Sequence, residues 1–321
     1  MKVFVTGAGG FVGAHVVGVL SDSKENEIIA LLRKPGTVNK VPGVRYVVND
    51  LSALEPLREV LTGVDVVIHA AGRAHILDDI APDPLAEFRA INRDATLRLA
   101  KLAADCDVSR FIYFSSVKVL GESTAGNCVF TNRSQPNPRD PYAVSKHEAE
   151  LGLRRLAVDA EMEVVIIRPP LVYGVGVKGN FEQLIKAVTR AIPLPLASVR
   201  NRRSMVSIDN LVDFVALCIE HPCAANRTFL VSDNDNLSTP QLITSLAEAL
   251  GVRRRLFKVH PAILKWIFTL FRKQGMYDRL CGSMVVDIHD TMESLEWKPS
   301  QTVGEALANF KPIDTRISGG S

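Results

Sequence analysis

The turn Thr6-Gly7-Ala8-Gly9-Gly10-Phe11-Val12-Gly13 constrains this chain more than any other stretch, because it closes the apolar run Val3-Phe4-Val5 and opens a helical segment. A strand, a glycine turn and a helix in that order aim unpaired backbone N–H groups and a helix dipole at one place, which suits a pyrophosphate. Gly7 serves the tight turn, Gly10 the approach of phosphate and Gly13 the packing of helix on sheet, with Phe11 and Val12 between them. The pattern predicts a dinucleotide cofactor on the first strand.

Further β-branched runs follow at Ile28–Leu32, Val44–Val48, Val64–His69, Phe111–Ser115 and Val164–Arg168, with helical stretches between them and a further run at Thr228–Val231. Such alternation predicts an α/β fold: a doubly wound parallel sheet of Rossmann type, covered by helices on both faces. Prolines punctuate the chain after Arg168. We therefore expect a cofactor-binding domain over 1–170, with a later contribution from about 205–233, and a smaller, mostly helical substrate-binding domain over 171–315. The ending Ser318-Gly319-Gly320-Ser321 reads as part of a flexible tail over 316–321.

Thirty-eight basic against thirty-five acidic residues give a net charge of +3, far from the positive field that nucleic-acid binding requires. The five cysteines show no zinc-ligand spacing, so we expect reduced thiols and no metal. With no leader-like segment at the start, the sequence reads as cytoplasmic. The apolar segment Ala262–Phe271 is about half the roughly 20 residues that a membrane span needs. Its Ile263, Ile267, Leu270 and Phe271 recur at helical spacing, and we expect them to pack on the core, a membrane-surface position being the other reading.

The second strand ends Leu31-Leu32-Arg33-Lys34, where an acid would bind the adenosine 2′-hydroxyl of NAD. Two cations in its place favour NADP(H), with NAD(H) left open. Tyr142 and Lys146 stand one helical turn apart, and the adjacent ammonium is expected to draw the phenol down from its ordinary value near 10 toward working pH. Ser116 follows the strand Phe111–Phe114 at the sheet's carboxyl edge, placed to bond the substrate oxygen whose proton Tyr142 transfers.

At these residues the chain resembles the extended short-chain dehydrogenase/reductases, in their nucleotide-sugar epimerase, dehydratase and reductase branch. The glycine turn is similar to that family's TGxxGxxG, Asp50-Leu51 to its adenine-side Asp, His69-Ala70-Ala71-Gly72 to its HxAA, and Ser115 to Gly121 to its SSxxVYG. Tyr142 and Lys146 match its YxxxK, Arg168 to Gly174 its RPxxVYG, and Leu295 to Pro299 its LGWxP. The resemblance implies Ser116, Tyr142 and Lys146 as catalytic residues. It implies cofactor contacts from the glycine turn, Asp50, Leu51, Ala70, Ala71, Gly72, Asn92 and Pro169, besides Arg33, Lys34, Tyr142 and Lys146. Asn92 is expected chiefly to tie strands together near the site.

Substrate contacts are implied for Lys118, Tyr142, Asn180 and Arg203, with Arg279 as a second arginine for the nucleotide diphosphate, and a homodimer is expected. Two departures matter: Leu120 replaces the usual tyrosine, and Val117-Lys118 offers neither of the acids that a 4,6-dehydratase places there. Two enzyme readings remain, both moving hydride at C4 of a UDP-hexose. A UDP-4-keto-6-deoxy-N-acetylhexosamine 4-reductase comes first on the strength of Arg33-Lys34 and because the segments Ser115 to Gly121 and Gly176 to Phe181 resemble bacterial reductases of surface-polysaccharide synthesis. A UDP-glucose or UDP-N-acetylglucosamine 4-epimerase is the alternative. A non-catalytic NAD(P)-binding regulator is the remote one, since Tyr142 and Lys146 are both retained.

Overall fold

The computed structural model describes residues 1–36, 38–73, 82–271 and 274–310; the tail expected over 316–321 and the last residues of the expected substrate-binding domain, 311–315, lie outside them. The apolar runs form β1 (Lys2–Thr6), β2 (Glu27–Leu32), β3 (Arg45–Val48), β4 (Val66–His69), β5 (Arg110–Phe114) and β6 (Glu163–Arg168). After them come β7 (Leu171–Tyr173), β8 (Met205–Ser207) and β9 (Thr228–Leu230). Seven strands make one sheet in the order β3-β2-β1-β4-β5-β6-β9, every pair parallel. The order reverses between β1 and β4, so the loops after these two strands part there and leave a crevice at the carboxyl edge.

Period-two alternation sorts the strands β1, β2, β4, β5 and β6 between two cores. Val3, Val5, Ile28, Ala30, Ile112 and Ile167 face the helices Phe11–Ser21 and Ile208–Glu220. Phe4, Ile29, Phe111 and Ile166 face the helices Ala95–Ala104 and Pro141–Asp159. This burial on both faces is why the strands read as nearly continuous apolar runs.

A third core joins Tyr173, Phe181, Leu246 and Leu307 from the helical half of the chain. The parallel pair β7–β8 contributes Tyr173 and Met205 to it, a pairing that the sequence pattern does not disclose. Tyr173 Oη donates to Asp233 Oδ2 at 2.8 Å, and Asp233 also accepts from the Ser207 N–H and from Asn210 Nδ2. This buried junction ties the small sheet to the helix Ile208–Glu220.

One expectation fails at the helix Pro261–Leu270. Leu264 is its one buried residue and Phe268 packs partly on the third core, whereas Ile263, Ile267, Leu270 and Phe271 are exposed. The third core meets this helix on the Leu264 and Phe268 side, so the stripe expected inside faces outward.

Candidate active site

The helix Pro141–Asp159 begins where it does because Asp140 Oδ1 accepts from the Ala143 N–H at 2.6 Å and Pro141 presets the first turn. Steps of four residues then place Tyr142, Lys146 and Glu150 along one stripe of the helix. Ser116 caps the short turn Val117–Val119, its Oγ accepting from the Lys118 N–H at 3.2 Å, and its hydroxyl is hydrogen-bonded to that of Tyr142. Ser116, Tyr142 and Lys146 are thus brought to the carboxyl edge of β5.

Their electrostatics differ from the sequence expectation. Enclosure of the hydroxyl pushes the Tyr142 phenol up to about 12; the Ser116 hydrogen bond works against the rise and the Asp140 charge adds to it. Lys146 does not lower it. Its ammonium, itself buried, donates to the Phe114 carbonyl at 2.8 Å and lies 4.7 Å from the centre of the Tyr113 ring. Burial pulls Lys146 from 10.5 down to about 8, and the Glu150 charge limits the fall. Spacing alone revealed the proximity of the two groups but not that desolvation outweighs their mutual attraction.

A stability prediction follows for Lys146. Between about pH 8 and 10 the unfolded chain holds a proton that the folded protein has released, so wild-type stability rises with pH through this window. In Lys146→Met that rise disappears. Urea unfolding at both ends of the window should show wild type gaining about 2 kcal/mol relative to the variant; parallel curves would contradict the depressed pKa.

The glycine turn is built as its spacing implies. Gly7 has φ +69°, and a Cβ there would lie 2.6 Å from the Ala70 carbonyl carbon. A Cβ on Gly13 would lie 2.3 Å from the Gly7 oxygen, so helix and turn touch only because both residues are glycine. Gly10 precedes the helix Phe11–Ser21, whose N-terminus no side chain caps, and Phe11 and Val12 are half-buried in its first turn. An uncapped helix start beside a glycine turn fits a pyrophosphate.

Across the crevice, the Ala71 N–H donates to Thr6 Oγ1 at 3.2 Å, and His69 is locked neutral between Thr6 and Thr96, burial pulling it down to about 3. A Cβ on Gly72 would lie 3.1 Å from Asn92 Oδ1 and 3.3 Å from Lys146 Nζ, so the ammonium faces the Gly72 backbone. An ammonium held against a glycine backbone at the sheet's carboxyl edge fits a nicotinamide nucleotide. Asn92 is fully buried and bonds the Arg73 N–H, the Arg73 carbonyl and Ser145 Oγ, which ties the loop after β4 to the Tyr142 helix.

The remaining sequence candidates fall as follows. Pro169 is buried, and its carbonyl accepts from the Val117 N–H at 3.0 Å. Arg33 and Lys34 are exposed just beyond β2, and the Arg33 charge helps hold the Asp50 carboxyl below its ordinary value, after the hydrogen bonds from Ser52. Leu51, beside Asp50, is half-buried. Lys118 pairs with Asp140 and, at 3.2 Å, with Glu122, so two carboxylates already engage its charge. Asn180 is exposed at the first turn of the helix Asn180–Thr189. Arg203 donates to the Arg279 carbonyl at 2.9 Å; burial lowers its pKa and the Arg279 charge lowers it further, which places the two guanidinium groups together.

Sequence reasoning missed what stands behind Lys146. Glu150, fully buried, accepts from Ser115 Oγ at 2.6 Å, from Arg168 Nε at 2.8 Å and from the terminal nitrogens of Arg168 and Arg154. Burial pushes its carboxyl up, but the Arg168 hydrogen bonds and charge outweigh this and hold it below the usual range. The four-residue step from Lys146 was the available signal. Asp140 was legible too, as an Asp-Pro helix start. Among the described residues no His, Cys, Asp and Glu group could hold a metal ion.

Comparison with known proteins places this geometry. The profile of the NAD dependent epimerase/dehydratase family matches residues 3–232. A Vibrio cholerae protein named UDP-glucose 4-epimerase is 44% identical over 307 residues, 95% of this chain and 93% of its own length. Among solved structures, UDP-glucuronic acid 4-epimerase from Bacillus cereus in complex with NAD superposes with a TM-score of 0.78 at 19% identity, covering 96% of this chain and 97% of its own. UDP-glucose 4-epimerase from Thermotoga maritima, with UDP-glucose, gives 0.78 at 20% identity with the same coverage.

Proposed function

This chain belongs to the NAD-dependent epimerase/dehydratase family, and from that membership we propose that it is an NAD-dependent UDP-hexose 4-epimerase. The observation that carries the proposal is the likeness to the Vibrio cholerae UDP-glucose 4-epimerase over nearly the whole of both chains. The site agrees with it: one acid/base hydroxyl, Tyr142, with Ser116 and Lys146 beside it, serves proton transfer in either direction. A dehydratase would need a further acid and base after Ser116, where Val117 is buried and Lys118 is held by Asp140 and Glu122.

The reductase reading, placed first on sequence grounds, rests on Arg33 and Lys34 gripping a 2′-phosphate and on the likeness of Ser115 to Gly121 and Gly176 to Phe181 to bacterial reductases. The exposure of Arg33 and Lys34 beyond β2 does not by itself argue for a 2′-phosphate, while the Vibrio cholerae relative is named an epimerase and the Bacillus cereus neighbour carries NAD, so we place NAD before NADP and the epimerase before the reductase. The homodimer and the cytoplasmic location stay part of the proposal; among the described residues no helix is long and apolar enough to cross a membrane.

The glycine turn, Gly72 and Lys146 would hold NAD, which when bound would supply a reversible hydride acceptor for C4. Tyr142 accepts the proton of the C4 hydroxyl and gives it back, while Ser116 holds the same oxygen in line. The phenolate this requires is costly in the enclosed site, and the hydrogen bond from Ser116 offsets part of that cost. Arg203 and Arg279 together would hold the diphosphate while the oxidised hexose turns its other face inward.

The test is incubation of the purified protein with UDP-glucose, UDP-galactose and their N-acetyl counterparts. Interconversion without net consumption of NADH or NADPH is expected. Consumption of one equivalent of NAD(P)H with a UDP-4-keto-6-deoxy-N-acetylhexosamine, and no interconversion, would restore the reductase.

A further inference from the structure

The helix Pro261–Leu270 turns the usual arrangement of an amphipathic helix around. Leu264 and Phe268 hold it to the third core, while Ile263, Trp266, Ile267 and Leu270, spaced i, i+3, i+4 and i+7, form a continuous outward stripe that Phe271 extends. Trp266 is 64% exposed, Leu270 62% and Phe271 66%, too much apolar surface in one stripe to count as scattered surface residues. Phe257, just before the helix, is exposed as well.

The charge around this stripe has one sign. From Leu250 to Lys273 the sequence holds seven Lys and Arg residues and no Asp or Glu. Arg253, Arg254, Arg255, Lys258 and Lys265 are all exposed, and the three arginines with Phe257 line a shallow depression of about 360 Å³. We propose that this face docks the protein on an anionic lipid bilayer, the stripe entering the headgroup boundary and the cations meeting lipid phosphates.

The charge pattern selects that occupant. A second copy of this chain meeting the face across a two-fold axis would press the same cations against each other. An anionic surface neutralises them while the stripe is buried. The helix spans ten residues, so it lies on the surface and does not cross. Phe268 and Tyr277, with ring centres 6.0 Å apart, join it to the helix that carries Arg279, so the docking face and the arginine pair belong to one packed unit.

The test is co-sedimentation of the full chain with phosphatidylcholine vesicles, with and without phosphatidylglycerol. Binding is expected only where phosphatidylglycerol is present, weakening as salt rises, with a blue shift of the exposed Trp266 emission. Trp266→Glu combined with Leu270→Glu should weaken it about tenfold or more, and Arg253→Glu with Arg254→Glu should remove the dependence on anionic lipid. Neither pair belongs to the site described above, so turnover of a soluble substrate and the circular dichroism should stay at wild-type values. The proposal falls if the protein ignores phosphatidylglycerol vesicles at low salt, or if both pairs bind as wild type does. It falls equally if the Trp266 and Leu270 changes dissolve a dimer, seen by light scattering, without any vesicle binding to lose.

Discussion

Phenylalanine at position 142 should lower kcat by about a thousandfold while the protein keeps its fold and its bound cofactor. Only the hydroxyl is removed. The ring of Tyr142 still meets Phe88 edge-on, with centres 5.9 Å apart, and the helix start made by Asp140 and Pro141 does not depend on the phenol. The cofactor contacts proposed for the glycine turn, Gly72 and Lys146 do not involve the phenol, so nucleotide released on denaturation should match wild type mole for mole. Ser116→Ala should cost less, about 10–100-fold, because Ser116 aligns the oxygen but moves no net proton. Turnover unchanged in Tyr142→Phe would sink Tyr142 as the acid/base and with it the whole proposed chemistry.

Most of the framework for that experiment is legible before any coordinates. The inner strands of the main sheet announce themselves because burial on both faces makes each an apolar run, whereas the edge strand Arg45–Val48 is read from its β-branched residues alone, and the glycine turn is legible because only glycine tolerates the contacts at positions 7 and 13. Tyr142 and Lys146 are legible through helical spacing. The pKa values are not, because desolvation depends on everything packed around a group: the spacing pointed to a lowered phenol where enclosure raises it. The outward stripe of the helix Pro261–Leu270 misled for a related reason. An apolar stripe shows that a face wants cover, and only the fold shows that Leu264 and Phe268 already make the contact with the core. Arg203 and Arg279 lie 76 positions apart, and their adjacency is a product of tertiary structure alone.

Glu150 is where stability and chemistry meet, and its replacement by alanine should destabilise the protein by about 3–5 kcal/mol, the usual cost of leaving a buried charge without its partner. Arg168, 3% exposed, would then keep its guanidinium in the interior with no carboxylate, and Ser115 would lose its acceptor. Replacing Glu150 and Arg168 together by methionine should recover most of the loss, because no orphan charge remains. The sign with pH is fixed by the direction of the shift. Glu150 sits below its ordinary 4.5 in the folded protein, so its contribution is full above that value and fades as pH falls through the lower, folded one. Wild type and Glu150→Ala should therefore differ most near neutrality and converge in acid. Glu150→Gln, which keeps the shape and some of the hydrogen bonds, reports the catalytic side if the alanine variant does not fold. Without the negative charge that props it up, Lys146 falls further below about 8 and loses its proton earlier. The alkaline limb of kcat/KM should then move to lower pH in Glu150→Gln. A glutamine variant with lost stability and an unmoved limb would make Glu150 a structural brace that has no influence on the charge of Lys146.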